Sequence, residues 1–423
     1  MNLTLNKQKF YPILFALCVG VPYLDNYELT FLIWSFTFFV TIQIKYSLSI
    51  LKQLFCFTLI LTLAFFSSFF YTFENFAFIR DITYLLKPII GLLVGYQLCK
   101  NHIKNPFDTA IKVGVLLAII HILIVGYGFV FKGFSNIHQI RSYAGFFSDY
   151  EVYVIIMVLF AKELGVTLSR KQFYLFLALL VFSSFLYLSR TNFIQFVILF
   201  FAIKGFFVPS RKKLIGLISL VLAGLLFYSA ILYYNPKRNA KGIEAFLYKV
   251  KIAPTEPFKT KVNKEDYVDF NDNYRSVENI HTLRQMRSAG DYAVLFGKGL
   301  GSTIDLNTKV WLGDSELRHI SVLHNGFMTV YLKSGVVGVL ILFVTIILLF
   351  RFRKAKNPIE QRINYLLTGT TIFLFISYWV FMGFYFKADT KAILIGLLLA
   401  YSERLSKAYQ INNSSESLLS VHK

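Results

Sequence analysis

The chain has 423 residues, of which 56% are hydrophobic, 18% aromatic and only 16% charged, and its mean hydropathy is +0.57. This composition excludes a set of ordinary water-soluble domains and indicates a protein that crosses a membrane several times. The formal charge of +21 reflects 44 Lys and Arg against 23 Asp and Glu. These cations lie mainly in short clusters between apolar segments, which is typical of topology signals, so no nucleic-acid partner is expected.

Runs of about twenty apolar residues predict about twelve transmembrane helices. The first run is expected to be a retained span and not a cleaved signal, because similar runs recur along the chain. The predicted spans are residues 10–22, 29–44, 54–73, 82–98, 109–131, 151–165, 173–188, 192–207, 214–234, 323–350, 363–384 and 390–403.

Charged residues between the spans predict the orientation, because Lys and Arg in short connections are retained in the cytoplasm. Alternate connections carry Lys7 and Lys9, Lys45 and Lys52, Lys100 and Lys104, Lys162 with Arg170 and Lys171, Arg211 to Lys213, and Arg351 to Lys356. The intervening connections carry Asp25 and Glu28, Glu74 and Asp81, and Asp149 and Glu151. Both termini are therefore expected in the cytoplasm.

The predicted fold is an all-α polytopic membrane protein with one large extracytoplasmic loop between helices 9 and 10. Membrane helices 1–9 are assigned to residues 1–234, the loop to residues 235–322, and helices 10–12 to residues 323–405. Residues 406–423 are polar and aperiodic and are expected to form a disordered cytoplasmic tail. Crossing a bilayer requires no loop of this size, so the loop is expected to have a function.

The outward arginines are not explained by cytoplasmic retention. Their planar guanidinium groups match phosphate oxygens two at a time, which suits a lipid-linked phosphate or pyrophosphate at the membrane surface. For any single arginine, pairing with an acidic residue of the loop or with a lipid head group is an alternative. The set is Arg80, Arg141, Arg190, Arg275, Arg284, Arg287 and Arg318, with Arg238 near the membrane edge.

Arg190 and His324 stand out by position. Arg190 lies in a Ser-Arg-Thr-Asn break between two apolar helices, where an arginine costs a few kcal/mol unless it is paired or hydrated; a snorkelling turn residue is the alternative. His324 precedes a hydrophobic helix in which Gly335 and Gly338 would admit a close neighbour. Its imidazole can exchange a proton near neutral pH, although a helix cap or an interfacial hydrogen bond would also explain it.

Other motifs do not indicate a nucleotide or a metal. The glycine run at 297–301 lacks the spacing of a phosphate-binding loop, and residues 269–273 lack the glycine and closing glutamate of a calcium loop. His319 and His324 are five residues apart and not four, so they do not form a helical metal-binding pair. The three cysteines have no paired spacing. No metal, cofactor or disulfide framework is expected.

Taken in order, these motifs resemble those of the O-antigen ligase and O-antigen polymerase family of bacterial envelope glycosyltransferases. The resemblance covers the topology of most of the chain, and its local motifs lie mainly between residues 283 and 338. They are Ser189-Arg190-Thr191, Leu283-Arg284-Gln285-Met286-Arg287, the run 295–301, His324-Asn325 and the helix with Gly335 and Gly338.

This resemblance implies glycan transfer from a polyprenyl (undecaprenyl) pyrophosphate carrier to a sugar hydroxyl, without a metal, at the outer face of the bacterial inner membrane. A second lipid-linked repeat unit as acceptor would make the protein a polymerase of O-antigen or capsule, which is favoured. Lipid A-core as acceptor would make it a ligase. The other implied partners are membrane lipids and a chain-length regulator.

The resemblance also implies roles for individual residues. Arg190 and Arg284 would hold the pyrophosphate, with Arg287 as the alternative to Arg284, and His324 would orient or deprotonate the acceptor. These roles follow from position in the shared motifs. Further substrate-binding residues are expected to be Arg318, Arg141 and Asn325.

Two other functions remain open. A polysaccharide flippase or transporter would also have about twelve helices, but it would place charges within its spans. A C-superfamily glycosyltransferase would use acidic residues of its first outer loop, where Asp25 and Glu28 lie, together with a metal.

Overall fold

The computed structural model describes residues 7–133, 137–145, 148–187, 189–208, 210–238, 243–263, 266–312, 315–351 and 354–421. Two strands within these ranges, β1 (Ile304–Leu312) and β2 (Ser315–Ile320), form an antiparallel hairpin. The helices are α1 (Lys7–Gly20), α2 (Tyr27–Val40), α3 (Leu48–Ser67), α4 (Asn75–Gln97), α5 (Pro106–Phe131), α6 (Ile137–Ala144), α7 (Asp149–Leu159), α8 (Arg170–Leu186), α9 (Arg190–Ile203), α10 (Arg211–Tyr234), α11 (Ile243–Ile252), α12 (Tyr267–Asp272), α13 (Tyr274–Ser288), α14 (Asp291–Phe296), α15 (Gly326–Ile347), α16 (Pro358–Val380) and α17 (Lys391–Val421).

Each predicted span coincides with one of the helices α1–α5, α7–α10 and α15–α17, with ends that differ by several residues. Among the described residues, four helical segments are long and apolar enough to cross a membrane: Leu48–Phe70, Pro106–Phe131, Gly326–Ile347 and Pro358–Val380. Helices α1, α2 and α9 have only 14 residues each. The predicted helical membrane protein is confirmed in outline, and the number of spans stays a prediction.

The C-terminal residues differ from the sequence-based expectation. Helix α17 continues to Val421, so it includes most of the segment for which the sequence predicts a disordered tail. Its first part is buried against the other helices. Once that part has formed, each further residue adds a backbone hydrogen bond without a new nucleation step, so a polar sequence can continue the helix.

The connections between the helices meet at two ends of the bundle. At one end, the Tyr23 and Ser148 hydroxyl groups are hydrogen-bonded at 2.8 Å. At the other, Lys100 pairs with Glu403 at 2.6 Å. Connections that alternate along the chain thus share an end, as a bundle of antiparallel neighbours requires. The first end, where residues 243–320 contact the helices, is termed the loop end.

Helices α4 and α17 cross in close contact within the main core. A Cβ atom on Gly95 would lie 1.9 Å from the carbonyl oxygen of Ile393, and one on Gly396 would lie 2.1 Å from that of Leu92. Side chains larger than hydrogen would force the two backbones apart. Small residues at a crossing of this kind are typical of helix packing in membranes.

The loop segment adds a β-hairpin to the expected all-α architecture. Ile304 and Leu306 lie on one face of β1, since strand residues two apart point the same way, and both are fully buried. They pack with Ile320 of β2 in a second hydrophobic core that also contains Tyr331 and Leu332 of α15. Because this core includes a bundle helix, the loop is not an independent domain.

A break in α15 receives the glycine run of the loop. Gly335 has φ +65° and ψ −165° within the helix, and such a break leaves carbonyl groups of the preceding turn without their helical partners. The carbonyl oxygens of Leu332 and Lys333 instead accept hydrogen bonds from the backbone N–H groups of Lys298 (2.8 Å) and Gly299 (3.1 Å). The loop backbone therefore replaces part of the hydrogen bonding of the helix.

A buried ion pair lies beside the same break. Lys333 Nζ is 2.5 Å from Asp81 Oδ2, and each side chain is only 2% exposed. The same carboxylate accepts a hydrogen bond of 2.7 Å from the Gly301 N–H. Removing one partner of such a pair leaves an uncompensated buried charge, at a cost of about 3–5 kcal/mol. This carboxylate links α4, α15 and the loop.

The close approach predicted at Gly335 is made by the end of α14. A Cβ atom on Gly335 would lie 2.3 Å from the Leu295 carbonyl group, and one on Gly297 would lie 2.4 Å from the Lys333 carbonyl group. At Gly338 the nearest atom is Ser334 Oγ of the same helix, at 1.8 Å. Gly335 and Gly297 thus permit backbone contact between the loop and α15, whereas Gly338 is close only to residues of its own helix.

Gly297→Ala is expected to destabilise the protein more than Gly290→Ala. The two glycines flank α14 with nearly equal dihedral angles, φ +87° and ψ 173° against φ +97° and ψ 173°, so both variants incur a similar backbone strain. At Gly290 a Cβ atom would meet nothing within 4 Å. The steric contact with α15 should therefore add about 1–3 kcal/mol at Gly297 alone. Thermal unfolding of the purified variants in detergent measures the difference, and equal midpoints would contradict the proposed docking.

Candidate functional site

His324 is held in a short connection between β2 and α15. The next residue, Asn325, caps the helix: its side-chain oxygen accepts hydrogen bonds from the N–H groups of Phe327 (3.0 Å) and Met328 (3.2 Å). Asparagine is among the best N-cap residues because its side chain satisfies backbone donors of the first turn. Asn325 is 1% exposed. Its observed contacts therefore position His324 at the start of the helix.

His324 forms two hydrogen bonds with one carboxylate, that of Glu278 on α13. The backbone N–H of His324 donates to Glu278 Oε2, and the ring Nδ1 lies against Glu278 Oε1, both at 2.9 Å. The Glu278 side chain is 1% exposed and that of His324 is 30% exposed. A carboxylate at Nδ1 favours the proton on that nitrogen. The second ring nitrogen, Nε2, is then the one that can accept a proton.

Electrostatic interactions raise the pKa of His324. Burial acts against the charged imidazole, but the charge of Glu278 and its hydrogen bond outweigh burial. Because the pKa is raised in the folded protein, stability from this pair is complete below about pH 6.5, the value of a free imidazole. It is lost as the pH rises through the elevated pKa.

Helix α13 is anchored beside His324 by its first turn. The Ser276 hydroxyl group donates to the Glu256 carbonyl oxygen and accepts from the Lys259 N–H at 3.1 Å. The Tyr274 ring contacts the edge of the His324 ring, with centroids 5.5 Å apart. These contacts hold Glu278 at the correct distance from the imidazole.

Four cationic side chains lie at the loop end, Arg141, Arg190, Lys249 and Arg275, and the last of them acts electrostatically on His324. They are termed the cationic cluster. Arg190 interacts electrostatically with both Arg141 and Arg275, and its guanidinium group donates to the backbone carbonyl of Lys249. Burial, followed by the charges of Arg141 and Arg190, lowers the pKa of Lys249. Burial also lowers the pKa of Arg141. Like charges that act on one another in this way favour an anionic ligand.

The acidic side chain of Glu256 belongs to the same neighbourhood, and the charge of Asp272 also acts on Lys249. Arg275 Nη1 donates to Glu256 Oε2 at 3.2 Å. Burial raises the pKa of Glu256, while Arg275, Arg190 and His324 act in the opposite direction. Since Glu256 also interacts with His324, it connects the cationic cluster to the histidine.

Local sequence explains the position of Arg190. Ser189 is the N-cap of α9, with its hydroxyl oxygen accepting from the Asn192 N–H at 3.3 Å. Arg190 is consequently the first residue of this apolar helix. A side chain at that position lies at the boundary between the helix bundle and the loop segment.

The two arginines predicted on α13 point elsewhere. At about 100° per residue, Arg284 is about 180° around the helix from Arg275, and both Arg284 and Arg287 are exposed. Arg284 lines a separate cavity of about 160 Å³ with Lys261 and His281. Arg287 interacts electrostatically with Tyr331. Neither arginine is among the residues that influence His324 most strongly.

Arg318 lies on the β-hairpin, where it pairs with Asp305 across the strands. Its Nε and Nη2 donate to the two carboxylate oxygens at 2.7 Å each. The hydrogen bond with Asp305 raises the pKa of Arg318. The structure thus brings together His324, Arg190 and Arg141 of the residues that the sequence suggested, and it places Arg284, Arg287 and Arg318 outside that group.

Sequence reasoning missed Glu278, Lys249 and Glu256 as site residues, and it named Arg275 only among the outward arginines. Glu278 and His324 are separated by 46 residues, so no local spacing connects them. One available signal was the spacing of Arg275 and Glu278, three residues apart, which places both near one face of a helix.

No family model matches this chain, and no curated protein matches its sequence. Chemical interpretation of the site therefore depends on its geometry and on the resemblance described above.

Replacing Glu278 with glutamine should lower the pKa of His324. The amide can still fill the space but cannot stabilise the imidazolium charge, whereas burial of the ring persists. Peptide-resolved modification by diethyl pyrocarbonate, which reacts with the neutral imidazole, gives the pH midpoint for His324 in both proteins. The reactivity of His319 in the same samples checks the reagent and should not differ between them. An unchanged His324 midpoint would show that Glu278 does not control the charge of the ring.

Proposed function

We propose that this protein transfers a glycan from a polyprenyl pyrophosphate carrier to a sugar hydroxyl group, most simply as a polymerase of lipid-linked repeat units. The supporting observation is the His324–Glu278 pair beside the cationic cluster at the loop end of the bundle. A proton acceptor adjacent to an anion site is the combination that this reaction requires. Transfer to lipid A-core is the alternative within the same chemistry.

In the proposed reaction, the acceptor hydroxyl oxygen attacks the anomeric carbon of the carrier-linked sugar. A new glycosidic bond forms while the bond between that carbon and the pyrophosphate oxygen breaks. The leaving pyrophosphate takes the electron pair. The hydroxyl proton moves to Nε2 of His324, and Glu278 stabilises the resulting imidazolium through Nδ1.

The cationic cluster would neutralise the charge that develops on the leaving pyrophosphate. Guanidinium groups of Arg190, Arg141 and Arg275 offer paired donors to phosphate oxygens, and Lys249 adds a point charge. Such preorganised groups stabilise a transition state when they need not reorient during the reaction. In this proposal, the arginine that binds the pyrophosphate together with Arg190 is Arg275 and not Arg284. The reason is that Arg275 lies on the face of α13 that is turned towards the cationic cluster.

The proposal also includes the number of membrane spans and the orientation of the chain in the membrane. Twelve spans with both termini in the cytoplasm would place the loop end on the outer face of the inner membrane, where the carrier presents its glycan. The apolar tail would then remain among the membrane lipids while the pyrophosphate reaches Arg190 at the start of α9.

One observation favours a transporter as the second candidate. Charged side chains, including Asp81, Lys333, Asp149 and Lys391, are buried between the helices, and transporters use such groups along substrate paths. Conversion of lipid-linked oligosaccharide in detergent micelles distinguishes the two functions, since transport needs two compartments and transfer does not. Activity in EDTA would also separate this mechanism from a metal-dependent glycosyltransferase.

His324→Ala and Arg190→Lys should each reduce glycan transfer by about 10²- to 10⁴-fold, the range expected for loss of a general base or of a charge-stabilising group. The measurement is product formation by the purified full-length protein from lipid-linked oligosaccharide, with envelope polysaccharide in cells as a second readout. Expression and membrane insertion should be unaffected.

Arg362→Lys is the matched control for Arg190→Lys. Arg362 is in the second turn of α16 at the end opposite the site, where it donates to the Ile203 carbonyl oxygen at 2.8 Å. Its variant should retain transfer. Normal polysaccharide in cells with His324→Ala or Arg190→Lys would reject the assignment.

Arg275→Gln should reduce transfer more strongly than Arg284→Gln. Both changes remove one positive charge from the same helix, but only Arg275 belongs to the cationic cluster. Initial rates at saturating and limiting carrier concentration compare the variants, and the loss at Arg275 should be about tenfold or more. A greater loss of transfer rate for Arg284→Gln would place the pyrophosphate site on the opposite face of α13.

A further inference from the structure

Two aromatic side chains lie together at the loop end. Phe258 is the last residue of a short 3₁₀ turn, Glu256–Phe258, and Trp379 is the next-to-last residue of α16. Their ring centroids are 5.3 Å apart, and the ring planes are inclined by 34°. Phe258 is 67% exposed, and Trp379 is half-buried. These two rings are termed the aromatic platform, and its open side is available to a ligand.

A backbone contact places the platform beside His324. The N–H of Gly326 donates to the carbonyl oxygen of Phe381 at 3.1 Å, which joins the start of α15 to the end of α16. His324 and Trp379 each lie two residues from this hydrogen bond. The ring of Phe327, in the first turn of α15, lies 6.5 Å from that of Trp379 between centroids. Trp379 is thus held next to the connection that carries the histidine.

The other half of the platform is attached to the same site through α13. Phe258 is two residues from Glu256, whose charge acts on His324. The Ser276 hydroxyl group donates to the Glu256 carbonyl oxygen and accepts from the Lys259 N–H, so the chain is fixed on both sides of Phe258. The elements that position the histidine therefore also position the two rings.

Hydrogen-bonding groups border the rings. No residue in the described part of the chain accepts a hydrogen bond from the indole N–H of Trp379. On the loop side, the Glu256 carboxylate lies two residues from Phe258 and accepts from Arg275 at 3.2 Å. A lipid acyl chain would use only the rings. A pyranose ring uses both features, because its C–H face packs on the electron-rich face of an aromatic ring while its hydroxyl groups form hydrogen bonds.

We propose that the aromatic platform binds one sugar ring of the acceptor glycan, an inference that rests on the proposed function. Stacking on Phe258 and Trp379 presents an acceptor hydroxyl group to Nε2 of His324. The two substrates are then bound by different chemistry, since the cationic cluster binds the carrier pyrophosphate and the platform binds an uncharged ring. The sugar class is a neutral pyranose with one face free of axial hydroxyl groups.

The first experiment measures sugar binding without transfer. The probe is the oligosaccharide that mild acid releases from the lipid-linked glycan of the native cells, so it lacks both carrier and pyrophosphate. Isothermal titration of the purified full-length protein in detergent gives its dissociation constant. Phe258→Leu and Trp379→Leu should each weaken binding about tenfold, because an aliphatic side chain offers no aromatic face. Phe258→Tyr keeps the ring and should bind like the unmodified protein.

Phe39→Leu is the matched control for Phe258→Leu. Phe39 is 68% exposed and lies in the last turn of α2, at the end of the bundle opposite the platform. Its variant should bind the oligosaccharide normally. Thermal unfolding midpoints of all variants verify that each protein is folded.

The second experiment uses the released oligosaccharide as the varied acceptor, with the carrier-linked glycan at saturation. Phe258→Leu should raise the KM for the acceptor about tenfold and change kcat by less than about twofold, since the platform binds the acceptor equally in the ground state and the transition state. A loss confined to kcat would contradict a binding role.

Brominated phosphatidylcholine in nanodiscs tests a lipid chain as the other occupant, because bromine quenches tryptophan fluorescence on contact. The emission of Trp379 is the difference between the unmodified protein and Trp379→Leu. Strong quenching of this emission would assign the platform to membrane lipid and overturn the proposal.

Failure of the unmodified protein to bind the oligosaccharide would also overturn it, as would equal binding by Phe258→Leu and Trp379→Leu. Binding that requires the platform, in a protein that forms no product from carrier-linked glycan, would support the sugar site and reject only the proposed function.

Discussion

The arrangement depends on the insertion of the glycine run into the break of α15. Backbone donors of Lys298 and Gly299 satisfy carbonyl groups that the break at Gly335 leaves open, and the buried Asp81–Lys333 pair fixes the neighbouring turn. Neither α15 nor the glycine run is complete alone. At its break the helix lacks hydrogen-bond donors for its carbonyl groups, and the glycine run lacks a surface that would bury it. Because buried backbone groups must be paired, the loop has one favourable position on the bundle.

This docking determines the site, since α13 and His324 lie on either side of it in the chain. After α11 and α12, the loop continues through α13, α14, the glycine run and the hairpin, and it rejoins the bundle at His324. With both ends fixed, the Glu278 carboxylate can meet the backbone and ring of His324 together. Part of the site is thus built by the loop and part by the bundle helices.

Individual residues show how far the sequence was informative. Arg190 and His324 were identifiable because each interrupts or precedes an apolar run. Arg284 and Arg275 could not be ranked, because only the rotation of α13 about its axis distinguishes two arginines of the same helix. Glu278 had no identifying feature as a lone acidic residue in a polar segment. Asp149 and Asp81 looked like connection residues but are buried ion-pair partners, since helices can enclose charges close to their ends.

By itself, the sequence determined that the chain is a helical membrane protein, where its apolar helices lie, and that a polar loop separates residues 234 and 323. These properties follow from local composition and periodicity, because membrane insertion and helix formation depend on the hydrophobicity of neighbouring residues in the chain. Only the tertiary structure decided which charges meet: His324 with Glu278, Arg190 with Arg275, and Asp149 with Lys391. Such pairings join residues far apart in the chain, and they are set by helix rotation and by the docking of the loop, neither of which any local pattern encodes.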